Sequence, residues 1–153
     1  VVQKGIYFLR GTFLIAIVLT SVFLAGCLFE KSPPPKVDGL GPQKLVETYY
    51  RSVSRGDLVT ARACLSGDLL PLMNSAEDSD FNNLVALWNL KVSDAHSIPL
   101  YGKNFEEVQV VAEYNAMYRK VITSGNGRQM RFVYVARKTK DAPWKIISIG
   151  TGP

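Results

Sequence analysis

Few side chains in this chain carry reactive chemistry: two thiols, Cys27 and Cys64, and one imidazole, His96. Asp94 stands two positions before His96, so on an extended strand both project from the same face, where a carboxylate can orient an imidazole acting as base. No other pattern supports that pair, and two polar residues facing solvent on an edge strand are the simpler reading. Glu77, Asp78 and Asp80 form an acidic run without the alternating ligand spacing or central glycine of a calcium loop. Asn74 to Asp80 therefore reads as a solvated surface loop. One histidine and no Cys-x-x-Cys leave no transition-metal set, and Gly125-Asn126-Gly127 and Gly150-Thr151-Gly152 precede no helix that would cradle a phosphate. No metal and no cofactor are expected. Tyr49, Trp88, Tyr114, Tyr118, Phe132, Tyr134 and Trp144 either line an aromatic pocket or pack as core with satisfied hydroxyls.

The position of Cys27 decides its role. Lys4 and Arg10 make a basic start, Thr12 to Leu24 is uncharged, and Leu24-Ala25-Gly26-Cys27 closes the run. A core of about 13 residues suits a signal peptide and falls short of the roughly 20 needed to span hydrocarbon. Extended through Leu28 and Phe29 it reaches the lower limit of a spanning helix, so an uncleaved anchor is the rival reading. The four closing residues resemble the lipobox of bacterial lipoproteins. That resemblance implies diacylglycerol on Cys27 and cleavage after Gly26, a membrane anchor placing the rest on the extracytoplasmic face. Two acyl chains hold stably where one binds marginally. Either reading exports the remainder, because Lys4 and Arg10 keep the N-terminus in the cytoplasm. The formal charge falls from +5 to +3 once they are removed, which fits anionic headgroups better than nucleic acid. With Cys27 assigned, Cys64 has no disulfide partner, and its place between Ala63 and Leu65 reads as a small buried thiol.

The elements follow from the pattern. Residues 27–41 are a linker whose Ser32-Pro33-Pro34-Pro35 favours extended polyproline II. Pro42 opens a helix with Leu45, Val46, Tyr49, Tyr50 and Val53 on one face, and Gly56 closes it. Asp57 caps a second helix carrying Leu58, Ala61, Cys64 and Leu65. Arg55-Gly56-Asp57 also spells an integrin-binding tripeptide, but capping already requires these residues. Leu69 to Met73 reads as an apolar loop or short turn, Phe81 to Trp88 as a short helix or the entry to a strand, and Leu90 to Ile98 as a strand ended by Pro99. Glu107 to Lys120 alternates, with Val108, Val110, Ala112, Tyr114, Ala116 and Tyr118 on one face. A hairpin turn at Thr123 to Gly127 leads to a strand over Met130 to Lys138, with Phe132, Tyr134 and Ala136 on one face. Trp144 to Ile149 is the last strand.

Helices followed by antiparallel strands indicate an α+β domain over residues 42–153, preceded by the signal-peptide helix (1–26) and the linker. The opening Leu45-Val46-Glu47-Thr48-Tyr49-Tyr50, the Arg55-Gly56-Asp57 turn and the closing Trp144-Lys145-Ile146-Ile147-Ser148-Ile149 resemble the nuclear-transport-factor-2-like superfamily, also called cystatin-like or SnoaL-like. The ending Ile149-Gly150-Thr151-Gly152-Pro153 is similar to that of Gram-positive lipoproteins of domain of unknown function 4829. The resemblance implies helices packed on a curved sheet as a cone with a pocket, a fold that hosts isomerases, dehydratases, ligand binders and protein contacts alike. The expectation is a non-enzymatic, membrane-anchored domain that binds a small apolar ligand or an envelope protein. The alternatives are a pocket enzyme using Asp94 and His96, and a dimerisation module pairing two copies through the exposed sheet face.

Overall fold

The computed structural model describes residues 36–152 apart from Pro99 and Tyr101, and the lipobox residues Leu24, Ala25, Gly26 and Cys27 lie outside them. Among the described residues no helix is long and apolar enough to cross a membrane. Four helices come first, α1 (Pro42–Ser54), α2 (Leu58–Cys64), α3 (Leu69–Ser75) and α4 (Asp80–Asn83). Four strands follow, β1 (Leu84–Val92), β2 (Glu106–Tyr118), β3 (Gly127–Arg137) and β4 (Lys145–Gly150), forming one antiparallel sheet in sequence order.

Local chemistry sets the helix ends. Pro42 occupies the first turn of α1, where its missing N–H costs nothing. Gly56, at φ +72°, takes the left-handed conformation that lets the chain leave the helix and re-enter at α2. Asp57 caps α2 by accepting the Thr60 backbone N–H at 3.1 Å. All five apolar residues predicted for the face of α1 are buried against the sheet, joined by Ala61, Cys64 and Leu65 from the second helix and its end.

Segments expected to be irregular fold otherwise. Leu69 to Met73 is part of α3 rather than a loop: Ser66 Oγ accepts the Leu69 N–H at 3.2 Å, and Pro71 sits in the first turn, where helix tolerates it. The acidic stretch ends in the single turn of α4, which carries Asp80 into the core at 4% exposure instead of leaving it solvated. Asn83 holds that turn to the end of β2 through the Lys120 carbonyl (2.7 Å) and N–H (2.9 Å).

The first strand begins at Leu84, earlier than expected, and ends at Val92. Beyond it the chain keeps isolated contacts with β2: the Ser93 N–H donates to the Val111 carbonyl at 2.9 Å, Ser93 Oγ accepts the Val111 N–H at 2.9 Å, and His96 and Gln109 exchange paired backbone bonds. On β2 the alternation holds, and Val108, Val110, Ala112, Tyr114, Ala116 and Tyr118 are all buried. On β3 the facing differs from expectation. Register pairs Val110 with Val133 and Ala112 with Arg131, and directly opposed residues share a face, so Arg131, Val133 and Val135 face the helices. Phe132, Tyr134 and Ala136 lie on the other side.

Candidate functional site

The aromatic residues singled out from the sequence divide between the two faces of the sheet. Tyr49, Tyr114 and Tyr118 lie on the helix side, joined by Tyr50. Tyr49 and Tyr50 pack edge to face at 5.0 Å between ring centroids, and Tyr50 leans on Tyr114 at 4.9 Å. Phe132 and Tyr134 occupy the opposite face, where the Gln109 Nε2 donates to Tyr134 Oη at 2.7 Å. Trp88 is 48% exposed, and Trp144 stacks beneath the Arg137 guanidinium at 4.8 Å. These seven residues do not form one pocket.

What the helix side holds is an ion pair. Asp80 accepts from Tyr114 Oη at 2.5 Å, from Tyr118 Oη at 2.6 Å and from Arg131 Nε at 3.2 Å and Nη2 at 3.4 Å. The same Nη2 also reaches Tyr118 Oη at 3.1 Å and Ser124 Oγ at 2.9 Å, while Nη1 reaches Gln129 Oε1 and the Met130 carbonyl. Both side chains are nearly inaccessible, 8% exposed for Arg131 and 3% for Asp80. Burial pushes Tyr114 and Tyr118 well above the ordinary phenol range, and the Asp80 charge adds to it. Burial opposes the charge on Arg131, yet Asp80 and the surrounding phenols keep its pKa raised.

A carboxylate with four donors has no lone pair left for a substrate proton. The phenols, held neutral and already donating, are equally engaged, so this cluster locks structure rather than performing acid-base chemistry. The hydroxyls of Tyr49 and Tyr50 are buried beside it with no hydrogen-bond partner among the described residues.

Asp94 and His96 are both exposed in the segment after β1. Asp94 is approached by Gln43 Nε2 at 3.5 Å, and His96 is tied by its backbone to Gln109. Neither is gathered with the tyrosines. Cys64 is fully buried and donates to the Thr60 carbonyl at 3.3 Å, and burial pushes its thiol up to about 11. No group of three metal-ligating side chains occurs among the described residues.

A concavity lies elsewhere, a groove of about 640 Å³ between the α2–α3 connection and the β3–β4 end of the sheet. Leu65, Leu69, Leu72 and Ile147 give it an apolar floor, and Lys103, Lys138 and Lys145 stand along it with one carboxylate, Asp68. Lys145 is partly engaged, donating to the Ala63 carbonyl at 2.8 Å and to Asp38 at 3.3 Å. Leu72 is 65% exposed. Leu69 and Leu72 belong to the stretch the sequence presents as an apolar loop or short turn, whereas Leu65, Lys138, Lys145 and Ile147 belong to separate elements, and no local pattern assembles them.

Residues 43–150 match the family model described as Domain of unknown function (DUF4829). No curated protein matches the sequence.

Proposed function

We propose, for a chain that belongs to the domain of unknown function family DUF4829, a lipid-anchored extracytoplasmic domain that binds a small apolar ligand bearing an acidic group. The anchor is the diacylglycerol of Cys27 at the lipobox Leu24-Ala25-Gly26-Cys27, and the fold is the nuclear-transport-factor-2-like cone. The ligand lies in the groove, with its apolar body against Leu65, Leu69, Leu72 and Ile147 and its acid near Lys103 and Lys138. The observation that carries this reading is the contrast in filling. Between α1 and the sheet stand fully buried Tyr49 and Tyr50 and the Asp80–Arg131 pair, whereas the groove is open, apolar and of a volume usual for small-molecule sites. Lysine stems cover apolar surface while their ammonium groups reach an anion, which suits an amphiphile drawn from the membrane. The exposure of Asp94 and His96, together with the saturation of Asp80, supports a binding rather than a catalytic role.

The test is mass spectrometry of organic extracts from the full chain purified from membranes. An anionic lipid should accompany the wild type and be lost with Leu72→Asp. An extract without lipid, or one unchanged by that substitution, overturns the groove assignment. The anchor is tested apart from the groove by radiolabelled palmitate, which should enter the wild type and not Cys27→Ala. Equal labelling of both removes the anchor.

A further inference from the structure

The opposite face of the sheet carries a second concavity, beside an irregularity in β1. Trp88 pairs with Asn115 and Lys91 pairs with Glu113, so one extra residue is accommodated between them. Asn89 takes it up at φ +56°, a left-handed conformation that asparagine tolerates better than most residues and that clusters at binding sites. Beside the bulge lies a shallow hollow of about 530 Å³ lined by Asn89, Lys91, Glu113, Asn115 and Arg128, and also by Leu90 and Tyr114.

Its chemistry is specific. Arg128 Nη2 donates to Glu113 at 2.7 Å, fixing a planar donor–acceptor pair at the rim. The side-chain amides of Asn89 and Asn115 make no hydrogen bond to another described residue, and Lys91 forms no ion pair among them. Trp88 adjoins the hollow without lining it, directly across from Asn115 on the same face, and the residue is 48% exposed. An exposed aromatic plane next to unspent amides and a carboxylate–guanidinium pair matches a sugar ring. The apolar C–H face of the ring stacks on the indole, and its hydroxyls, each donor and acceptor, meet groups that offer both. Glu113 is already neutralised by Arg128, so Lys91 is the surplus charge.

We infer that this hollow is a binding site for an anionic saccharide, stacked on Trp88, hydrogen-bonded by Asn89, Asn115 and the Glu113–Arg128 pair, and held through its acidic group by Lys91. The site is separate from the lysine-lined groove and stands whether or not that groove binds lipid.

The full chain in detergent is titrated with N-acetylmuramic acid and with N-acetylglucosamine, which has the same ring without the carboxylate, while the Trp88 indole N–H is followed by NMR. Trp144 serves as the internal control. N-acetylmuramic acid should give a saturable shift of the Trp88 signal alone, at least about tenfold tighter than N-acetylglucosamine. Asn115→Ala should weaken both sugars, and Lys91→Met should abolish the preference between them; Lys91 is exposed and Asn115 half-buried, and the Trp144 signal reports that each variant is folded. The absence of a saturable shift overturns the site, as does a shift that survives Asn115→Ala. Equal affinity for the two sugars overturns the anionic assignment. A Trp88 signal that changes with protein concentration, unaffected by sugar, would assign this face to a second copy of the chain instead.

Discussion

Two arginines three residues apart on β3 each meet a carboxylate, on opposite faces of the sheet and with opposite consequences. Arg131 and Asp80 are almost wholly buried, whereas Arg128 and Glu113 are 76% and 36% exposed. A charge removed from water costs several kcal/mol, and mutual attraction offsets this only when the remaining hydrogen-bonding capacity is filled. Tyr114, Tyr118, Ser124 and Gln129 fill it on the inner face. On the outer face water does so at little cost, leaving the pair and its neighbours free to exchange water for ligand. Adjacent residues of one strand thus serve unlike ends: the Tyr114 hydroxyl is spent on buried Asp80, while the Glu113 carboxylate pairs with exposed Arg128 at the hollow.

Breaking the inner pair tests this contrast most severely. Asp80→Ala leaves a guanidinium buried without its counter-charge and should destabilise the fold by about 3–5 kcal/mol in urea unfolding. Combining Asp80→Leu with Arg131→Met removes both charges and should recover most of that loss. A single substitution costing less than about 1 kcal/mol would show that water reaches Arg131 and that the interior is not sealed. Tyr118→Phe withdraws one donor from the carboxylate and should cost about 1.5–3 kcal/mol, the range for a hydrogen bond to a charged group. Tyr49→Phe should do the reverse, raising stability slightly or leaving it unchanged, because its buried hydroxyl has no hydrogen-bond partner among the described residues.

Cys64 sharpens the comparison through pH. Its thiol is pushed up to about 11 by burial from an ordinary value of 9.0, so the folded state favours the neutral form. A raised pKa contributes stability that is complete below the unfolded value and is lost as pH climbs toward the folded one. Unfolding free energies of the wild type and Cys64→Ala, measured from pH 7 to pH 11, should therefore converge above about pH 9. A difference constant across that range would mean that the thiol ionises as readily inside the fold as outside it.

How much of this was legible in the sequence depended on how one-sided each segment is. The three- and four-residue spacing from Leu45 to Val53 allowed one apolar face for α1, and the polar residues between Val108 and Tyr118 allowed one inner face for β2. On β3 both alternating sets are apolar, Phe132, Tyr134 and Ala136 against Val133 and Val135, so periodicity could not choose between them. Arg131, in register with the inner set, argued locally for the wrong choice. Its partner is 51 residues away on a single helical turn, beyond any local pattern, and that separation also hid Asp80 within an acidic run that otherwise reads as solvated. The hollow was invisible for another reason: it depends on one asparagine adopting a positive φ inside an apolar stretch, a conformation that tertiary pairing imposes.

The smallest expected effect completes the contrast. Arg128→Met deletes the exposed partner, and because an ion pair open to solvent contributes about 0–1 kcal/mol, unfolding in urea should shift by no more than that. The same substitution leaves Glu113 unopposed beside Lys91, turning the hollow from surplus positive to balanced. An anionic sugar should then bind more weakly although the fold is intact. Stability and binding would part company at Arg128, where only binding suffers, and at Asp80, where the fold fails first. A loss of stability at Arg128 comparable to that at Asp80 would mean that the outer pair is also part of the scaffold, and the division of labour between the two faces would not hold.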